Sequence, residues 1–117
     1  MTIAELQLAP ELWLVEAQGR LDQSQTPQLA HTLNQLQAEQ HYNIIIDMSS
    51  ATYINSGGLR CLLTGCRISR NQEGDIVLCG LHGRIAEIFE MVGLDQIFTI
   101  YPTRGEARNH FGVEESR

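Results

Sequence analysis

The stretch NIIIDM at residues 43–48 constrains the fold of this chain more than any other segment. Its three consecutive isoleucines leave no polar side chain for a solvent-facing side, so a strand here must be covered on both faces. Strands of this kind are typical of parallel sheets that carry helices above and below. The segment therefore predicts an α/β domain in which residues 43–48 form a central parallel strand.

The residues before this strand predict a hairpin and a helix. Residues 3–8 and 12–18 alternate apolar and polar side chains, as half-buried strands do, and the short connection between them favours antiparallel pairing. The segment GRLD at 19–22 is then expected to turn the chain. Thr26, which is followed by proline, is predicted to be the N-cap of a helix that ends near Gln40.

The residues after the strand continue the alternation of helices and strands. A second helix is predicted to begin around Ser56 or Gly57, and residues 75–81 predict another buried strand. A third helix should end at Gly93, and QIFTIY predicts the last strand before a short terminal helix over 103–111. The apolar stripes of the second and third helices are predicted to be Leu59, Leu62, Leu63 and Cys66, and Ile85, Ile88, Phe89 and Val92.

Together, these elements predict a single α/β domain over residues 1–117. Their order favours a mixed, mostly parallel sheet of four to five strands with about four helices. Residues 113–117 are expected to form a frayed tail. In parallel units the loops that leave the strands gather at one edge of the sheet, where such folds bind their ligands. Asp22 and Ser56 each follow a predicted strand, so we expect them to share that edge.

The charged residues exclude several classes of function. The chain has a net charge of −6, and its eight lysine or arginine positions are all arginine. It therefore has neither a Schiff-base lysine nor the lysine of a Walker loop. An acidic chain without a basic cluster is not expected to bind nucleic acid. No apolar run approaches the ~20 residues of a membrane span, and the first residues do not resemble a signal peptide. We expect no membrane partner.

The three cysteines predict neither a disulfide nor a metal site. Their number is odd and they form no CxxC pair, which indicates reduced thiols in a cytoplasmic protein. Cys61 and Cys66 are five residues apart on one predicted helix, so they would point about 140° apart. We expect these side chains to pack in the core, and we predict no metal ion or cofactor.

The segment YINSGG at residues 53–58 places one serine between a predicted strand and a predicted helix. As a helix cap, Asn55 or Ser56 would accept a free backbone N–H, yet Gly57 and Gly58 each cost about 1 kcal/mol relative to alanine in a helix. A nucleophile of the G-x-S-x-G type would need glycine where Ile54 stands. A phosphate-binding loop would lack a lysine. These three interpretations stay open beside a fourth.

The fourth interpretation is that Ser56 receives a phosphate. An exposed serine at a helix start lies beside unpaired N–H groups, and the helix dipole tolerates the added charge of about −1.5 to −2. An acidic or closely packed partner surface would be repelled by that charge. Arg60 stands four residues later, at a spacing that suits a phosphate pair, but it also shares a solvated helix face with Thr64 and Arg67.

The segment IIIDMSSATYINSGGLRCLL resembles the signature of STAS domains, in particular that of bacterial anti-sigma factor antagonists. In that signature an apolar strand runs through an Asp-Ser-(Ser/Thr)-Gly turn into an apolar helix. Ser56 matches the phosphorylated serine and Gly58 the glycine, and GRLD resembles the family's G-x-L-D turn with Asp22 at its aspartate. GDIVLCGLHGRIAEIFEMVGLDQIFTIY resembles the second half, so the similarity covers roughly residues 10–102.

This resemblance implies a protein-binding switch that is not an enzyme. In the family, the unphosphorylated domain binds an anti-sigma factor that is also a serine kinase of the GHKL type, and the sigma factor is released. The kinase then phosphorylates the serine and breaks the complex, and a phosphatase restores the first form. ATP belongs to the kinase, so no cofactor is implied here. With phosphorylation at Ser56, the expected partner-binding surface comprises Asp22, Asn55, Gly57, Gly58 and Arg60.

The chain departs from the family pattern at two positions of this turn. Asn55 stands where the family usually has aspartate, and Gly57 stands where it has serine or threonine. Asparagine can still cap a helix, so the fold is not affected, but one negative charge next to the acceptor serine is lost. Two alternatives therefore accompany the switch: a constitutive STAS adaptor in which Ser56 is only a cap, and a STAS domain that binds a small ligand or nucleotide.

Overall fold

The computed structural model of the protein describes residues 3–113, and these residues form seven strands, four α-helices and one turn of 3₁₀ helix. The single α/β arrangement and the number of helices agree with the prediction. The elements are β1 (Ile3–Ala9), β2 (Leu12–Ala17), β3 (Gly19–Leu21), α1 (Thr26–Ala38), β4 (Asn43–Asp47), β5 (Ala51–Ile54), α2 (Ser56–Asn71), β6 (Asp75–Cys79), α3 (Gly83–Met91), the 3₁₀ turn (Leu94–Gln96), β7 (Thr99–Tyr101) and α4 (Arg104–His110).

The main sheet has five strands in the order β1-β2-β4-β6-β7, with β4 at its centre. β1 pairs with β2 antiparallel, and all other pairs in this sheet are parallel. Ile44 and Ile46 pack into the larger core with α1, α2 and α3, whereas Ile45 packs into a smaller core with Ala107 of α4. Both faces of β4 are therefore covered, as the isoleucine run predicted.

The segment GRLD does not simply turn the chain, as the sequence pattern had indicated. Gly19, with φ +81°, redirects the backbone after β2, and residues 19–21 then form the short strand β3. β3 pairs in parallel with β5 in a separate two-stranded sheet. The backbone N–H of Gly19 donates to the carbonyl of Ser50 at 2.9 Å, which begins this pairing. The β3–β5 ribbon was not predicted because both strands are too short to show periodicity.

The start of α1 also differs from the prediction. The N-cap is Gln25 and not Thr26, whose hydroxyl is buried without a hydrogen-bond partner among the described residues. The carbonyl of Asp22 accepts the backbone N–H groups of both Gln25 and Thr26, at 3.1 and 2.9 Å. A backbone turn held by Asp22 therefore takes the place of a side-chain cap. The helix ends at Ala38, two residues before the predicted end.

The last third of the chain confirms the predicted helices and corrects several details. The strand predicted over 75–81 ends at Cys79. Of the predicted strand QIFTIY only Thr99–Tyr101 form β7, because Leu94–Gln96 form the 3₁₀ turn. Gly93 adopts the left-handed conformation after α3, as predicted, but Val92 is 57% exposed and does not belong to the buried stripe. Val113 is not frayed, because it packs against the smaller core and its N–H donates to the carbonyl of Arg108 at 3.1 Å. The rest of the predicted tail, residues 114–117, lies outside the described residues. None of the helices between residues 3 and 113 is long and apolar enough to span a membrane.

Candidate functional site

The parallel pairing of β3 with β5 brings Asp22 and residues 55–58, which we call the NSGG segment, to one end of the ribbon. Leu21 is in register with Ile54, and the backbone N–H of Asn55 donates to the carbonyl of Leu21 at 3.2 Å. Asp22 therefore follows one strand where Asn55 and Ser56 follow the other. The predicted shared edge is confirmed, although it is built on the small ribbon and not on the main sheet.

Ser56 is the first residue of α2, and its side chain is exposed. The N-cap is Asn55, whose Oδ1 accepts the backbone N–H of Gly58 at 2.9 Å. The hydroxyl of Ser56 forms no hydrogen bond to any residue in the range 3–113. The capping role, which the sequence assigned to either residue, thus belongs to Asn55 and leaves the hydroxyl of Ser56 uncommitted.

The two glycines after Ser56 have different surroundings. Gly58 is buried, and a Cβ atom at this position would lie 2.7 Å from Cγ1 of Ile54 and 3.3 Å from the carbonyl oxygen of Leu21. Gly58 therefore lets α2 approach the ribbon closely and offers no exposed side to a partner. A Cβ atom at Gly57 would lie 3.4 Å from Oδ1 of Asn55, an ordinary contact. Only Gly57 of the pair lies partly at the surface.

Asp22 holds the turn that leads into α1. Its Oδ1 accepts the N–H of Ser24 at 3.0 Å and the hydroxyl of Ser24 at 2.8 Å. The hydrogen bonds from Ser24, with a smaller contribution from Arg20, lower the pKa of this partly exposed carboxyl group below its ordinary value. Asp22 is therefore a stable negative charge beside the NSGG segment.

Two further surface residues of the ribbon were not predicted. The guanidinium carbon of Arg20 lies 4.1 Å from the ring centroid of Tyr53, and Tyr53 is 38% exposed. These residues face each other because Arg20 of β3 is in register with Tyr53 of β5. The sequence contains no signal for this contact without the pairing of β3 and β5.

Arg60 lies one turn after Ser56 on α2 and is exposed, as are Thr64 and Arg67. Neither Arg60 nor Arg67 forms an ion pair with any residue that the structure describes. The spacing of Ser56 and Arg60 puts both side chains on one side of the helix start. The site thus combines a cation, Arg60, and an anion, Asp22, with a serine hydroxyl that has no hydrogen-bond partner within residues 3–113.

The cysteines belong to the core. Cys66 and Cys79 are buried and Cys61 is partly buried, and all three are free thiols. Burial raises the pKa of each thiol, and for Cys79 burial together with the nearby carboxylate of Asp47 raises it to about 12. Within residues 3–113, no three His, Cys, Asp or Glu side chains come together in a way that could hold a metal ion.

A second polar cluster, which the sequence did not indicate, lies at the carboxyl ends of β2 and β4. We call it the Arg104 network. Nη2 of Arg104 lies 2.7 Å from Oδ2 of Asp47 and 2.5 Å from Oε2 of Glu16, and the N–H of Ser49 donates to Oδ1 of Asp47 at 2.9 Å. Burial alone would raise the pKa of Asp47, but the hydrogen bonds from Ser49 and Arg104 outweigh it and lower the pKa.

Comparison with known proteins places this arrangement in a family. The model of the STAS domain matches residues 4–107. An anti-sigma-B factor antagonist of Listeria monocytogenes is 28% identical over 88 residues, which are 75% of this chain and 77% of the relative. BtrV of Bordetella bronchiseptica, whose name assigns it to the anti-sigma factor antagonists, is 30% identical over 94 residues, or 80% of this chain and 81% of that protein.

Solved structures agree on the fold. A Thermotoga maritima protein superposes with a TM-score of 0.86 at 15% identity, over 92% of each chain. The anti-sigma factor antagonist SpoIIAA in its unphosphorylated form superposes with a TM-score of 0.76 at 16% identity, over 95% of this chain and 98% of that one. With the family model matching nearly the whole described chain, this protein belongs to the STAS domain family and is similar to its anti-sigma factor antagonists.

Proposed function

We propose that this chain is an anti-sigma factor antagonist that switches partners through phosphorylation of Ser56. The observation that carries the proposal is the division of roles at the start of α2. Asn55 caps the helix at 2.9 Å, and the neighbouring Ser56 is exposed with a free hydroxyl. Because Ser56 does not cap the helix, it can be phosphorylated and dephosphorylated without a loss of stability.

The partner in this proposal is an anti-sigma factor that is also a serine kinase of the GHKL type. The relatives named as anti-sigma-B factor antagonists support an anti-sigma factor as the partner, and its kinase activity is what the family resemblance implies. The kinase brings the ATP, and a separate phosphatase removes the phosphate, so the chain itself is not an enzyme and needs no cofactor. The docking surface in this proposal consists of Ser56 and the neighbouring residues Asp22, Asn55, Gly57 and Arg60. Gly58 is buried and does not belong to this surface, but it lets α2 pack closely against the ribbon.

Charge explains how a phosphate releases the partner. A phosphoserine adds about −1.5 to −2 charge at neutral pH, and the first turn of α2 accepts it because free N–H groups and the helix dipole are positive there. Asp22 is already ionised beside it, since its pKa is lowered. The surface therefore changes from mixed to strongly negative while the backbone stays as it is. Any acidic or closely packed partner surface is expelled.

The asparagine at position 55 is compatible with this switch. Its side-chain oxygen makes the capping bond to Gly58 that an aspartate would also make, so the serine is presented in the same way. The missing carboxylate lowers the negative charge before phosphorylation. We therefore expect a larger relative change in charge when the phosphate is added.

The test uses a purified candidate GHKL-type serine kinase from the organism that carries this chain. It is combined with four forms of the chain: wild type, Ser56→Ala, Ser56→Asp and Gln96→Glu. Gln96 is exposed and precedes Ile97, whose carbonyl accepts a hydrogen bond from Arg70 in the last turn of α2. The last variant therefore adds a matched charge near the opposite end of that helix. Titration calorimetry should show that Ser56→Asp binds at least about tenfold more weakly than wild type, whereas the other two variants bind like wild type. Phosphate from ATP should appear on the wild type and Gln96→Glu, and not on the Ser56 variants.

Other outcomes identify the alternatives. Equal binding of all four forms without phosphate transfer would make the chain a constitutive adaptor. No binding by any form, together with a rise in melting temperature in a nucleotide panel, would favour a small-ligand domain. Hydrolysis of an ester substrate that is lost in Ser56→Ala would restore the nucleophile interpretation. Each of these results contradicts the switch.

A further inference from the structure

A groove runs between α1 and α2 and ends at the NSGG segment. It encloses about 240 Å³ and is lined by Leu33 on one side and by Gly57, Cys61 and Gly65 on the other. This volume is below the about 300–1,000 Å³ typical of sites for small molecules, and it suits a single protein side chain. The groove exists at this end because Gly57 has no side chain, and little besides Asn55 stands within reach of that position.

The charge of the groove indicates what can enter it. Its lining includes one cation, Arg60, and no acidic residue, on a chain whose net charge is −6. Arg60 has no ion-pair partner among the described residues. The walls are mostly apolar and also include Asn34 and Thr64. Together with the guanidinium of Arg60 they are complementary to an apolar side chain that stands next to a carboxylate.

We infer that this groove docks a segment of the partner protein in which an apolar side chain is adjacent to an aspartate or glutamate. The apolar side chain fills the space beside Gly57 and Cys61, and the carboxylate pairs with Arg60. This inference rests on the proposed function and names the chemistry of the partner. It follows from the continuity of the groove with Ser56, which directly precedes Gly57.

The same arrangement connects phosphorylation to release. Ser56 and Arg60 are four residues apart on α2, so a phosphate on Ser56 and a carboxylate of the partner compete for one guanidinium. The phosphate carries more charge and is held on the same chain, so it takes Arg60 and the partner carboxylate loses its cation. Release therefore has a specific cause in addition to general repulsion.

The inference can be tested without the kinase, by ¹⁵N NMR titration of the whole chain. The probe is isocaproate, which joins a branched apolar group to a carboxylate, and the matched control is isoamylamine, which replaces the carboxylate with an ammonium. We expect isocaproate to shift the amide signals of Gly57, Cys61 and Gly65, and isoamylamine to leave them unchanged. Equal shifts with both probes, or no shift at these amides, would overturn the inference.

Two variants test whether the carboxylate of isocaproate pairs with Arg60. Arg60→Gln should weaken isocaproate binding by about threefold, as expected for a partly exposed ion pair, and Arg67→Gln on the same helix face should leave it unchanged. Phosphoserine incorporated at position 56 during translation should weaken the binding of isocaproate at least as much as Arg60→Gln does. Unchanged binding in Arg60→Gln would contradict the role of Arg60, whatever the kinase experiment shows. Conversely, a kinase that fails to bind leaves these results intact and counts only against the proposed function.

Discussion

The Arg104 network and the NSGG segment both lie where strands end, yet they are opposite in how their polar groups are satisfied. In the Arg104 network, the carboxylate of Asp47, whose side chain is 9% exposed, is bound by Arg104 on one oxygen and by Ser49 on the other. At the NSGG segment, the hydroxyl of Ser56 has no partner within residues 3–113 and Arg60 has no counter-ion there.

The two clusters therefore differ in whether stability accounts for their polar side chains. A buried carboxylate must be paired, because an unpaired one costs several kcal/mol, so the Arg104 network is explained by stability alone. Exposed groups without partners contribute little to folding. Ser56 and Arg60 are therefore available to the partner binding proposed above without a loss of stability.

Removing the cation from the Arg104 network should have the largest effect on stability. Arg104→Met leaves Asp47 buried without its charged partner, and we expect the free energy of unfolding to fall by about 2 kcal/mol, since Arg104 itself is partly exposed. Chemical denaturation measures this change. Arg84→Met removes an exposed pair with Glu87 and should change stability by less than about 0.5 kcal/mol. Equal losses in the two variants would show that the network is not special.

The same network predicts an acid dependence. The folded-state pKa of Asp47 is lowered below 3.8, so its contribution is fully present above that value and is lost as the pH falls through the folded pKa. The stability difference between wild type and Arg104→Met should therefore be constant at neutral pH and shrink below about pH 4. A difference that grew on acidification would contradict the assignment of Asp47 as the stabilised carboxylate.

The two glycines of the NSGG segment should differ in the sign of their effect on stability when each is replaced by alanine. Gly58→Ala puts a methyl group 2.7 Å from Ile54 and should destabilise the fold by about 1–2 kcal/mol after the gain in helix propensity. Gly57→Ala makes only an ordinary contact with Oδ1 of Asn55 and should stabilise the fold by up to about 1 kcal/mol. Thermal unfolding of both variants measures the difference. Two shifts of the same sign would disprove the distinct roles of the glycines.

The capping residue should give the smallest effect. Asn55→Ala removes the side-chain bond to the N–H of Gly58 and should cost about 1 kcal/mol of unfolding free energy. Asn55→Asp keeps the bond and should be at least as stable as wild type, because a carboxylate is favoured at a helix start. Ser56→Ala serves as the matched control and should leave stability within about 0.5 kcal/mol of wild type. A larger loss in Ser56→Ala than in Asn55→Ala would return the capping role to the serine.

Much of the fold was predictable because hydrophobic patterns are local. The isoleucines of β4 identified the central strand, and α2 began where its apolar stripe and turn residues indicated. The antiparallel pairing of β1 and β2 is also as predicted, but residues 4–7 of β1 are all exposed, so the half-buried alternation predicted for this strand is wrong. The β3–β5 ribbon escaped prediction, since strands of three and four residues show no period. Val92 was wrongly assigned to the core because the helix ends at Met91, one residue before the pattern does.

The site divides in the same way. From the sequence, Asp22 and Ser56 could be placed at one edge, because each follows a predicted strand and the loops that leave parallel strands gather at the same edge. The three-dimensional structure was needed to show that Asn55 is the cap, and that Gly58 is packed whereas Gly57 leaves room for a side chain. It was also needed to show that Arg104 reaches Asp47 and Glu16, which are 57 and 88 residues away in the chain. Packing and ion pairs depend on distances between segments that are far apart in sequence, and local sequence patterns contain no information about those distances.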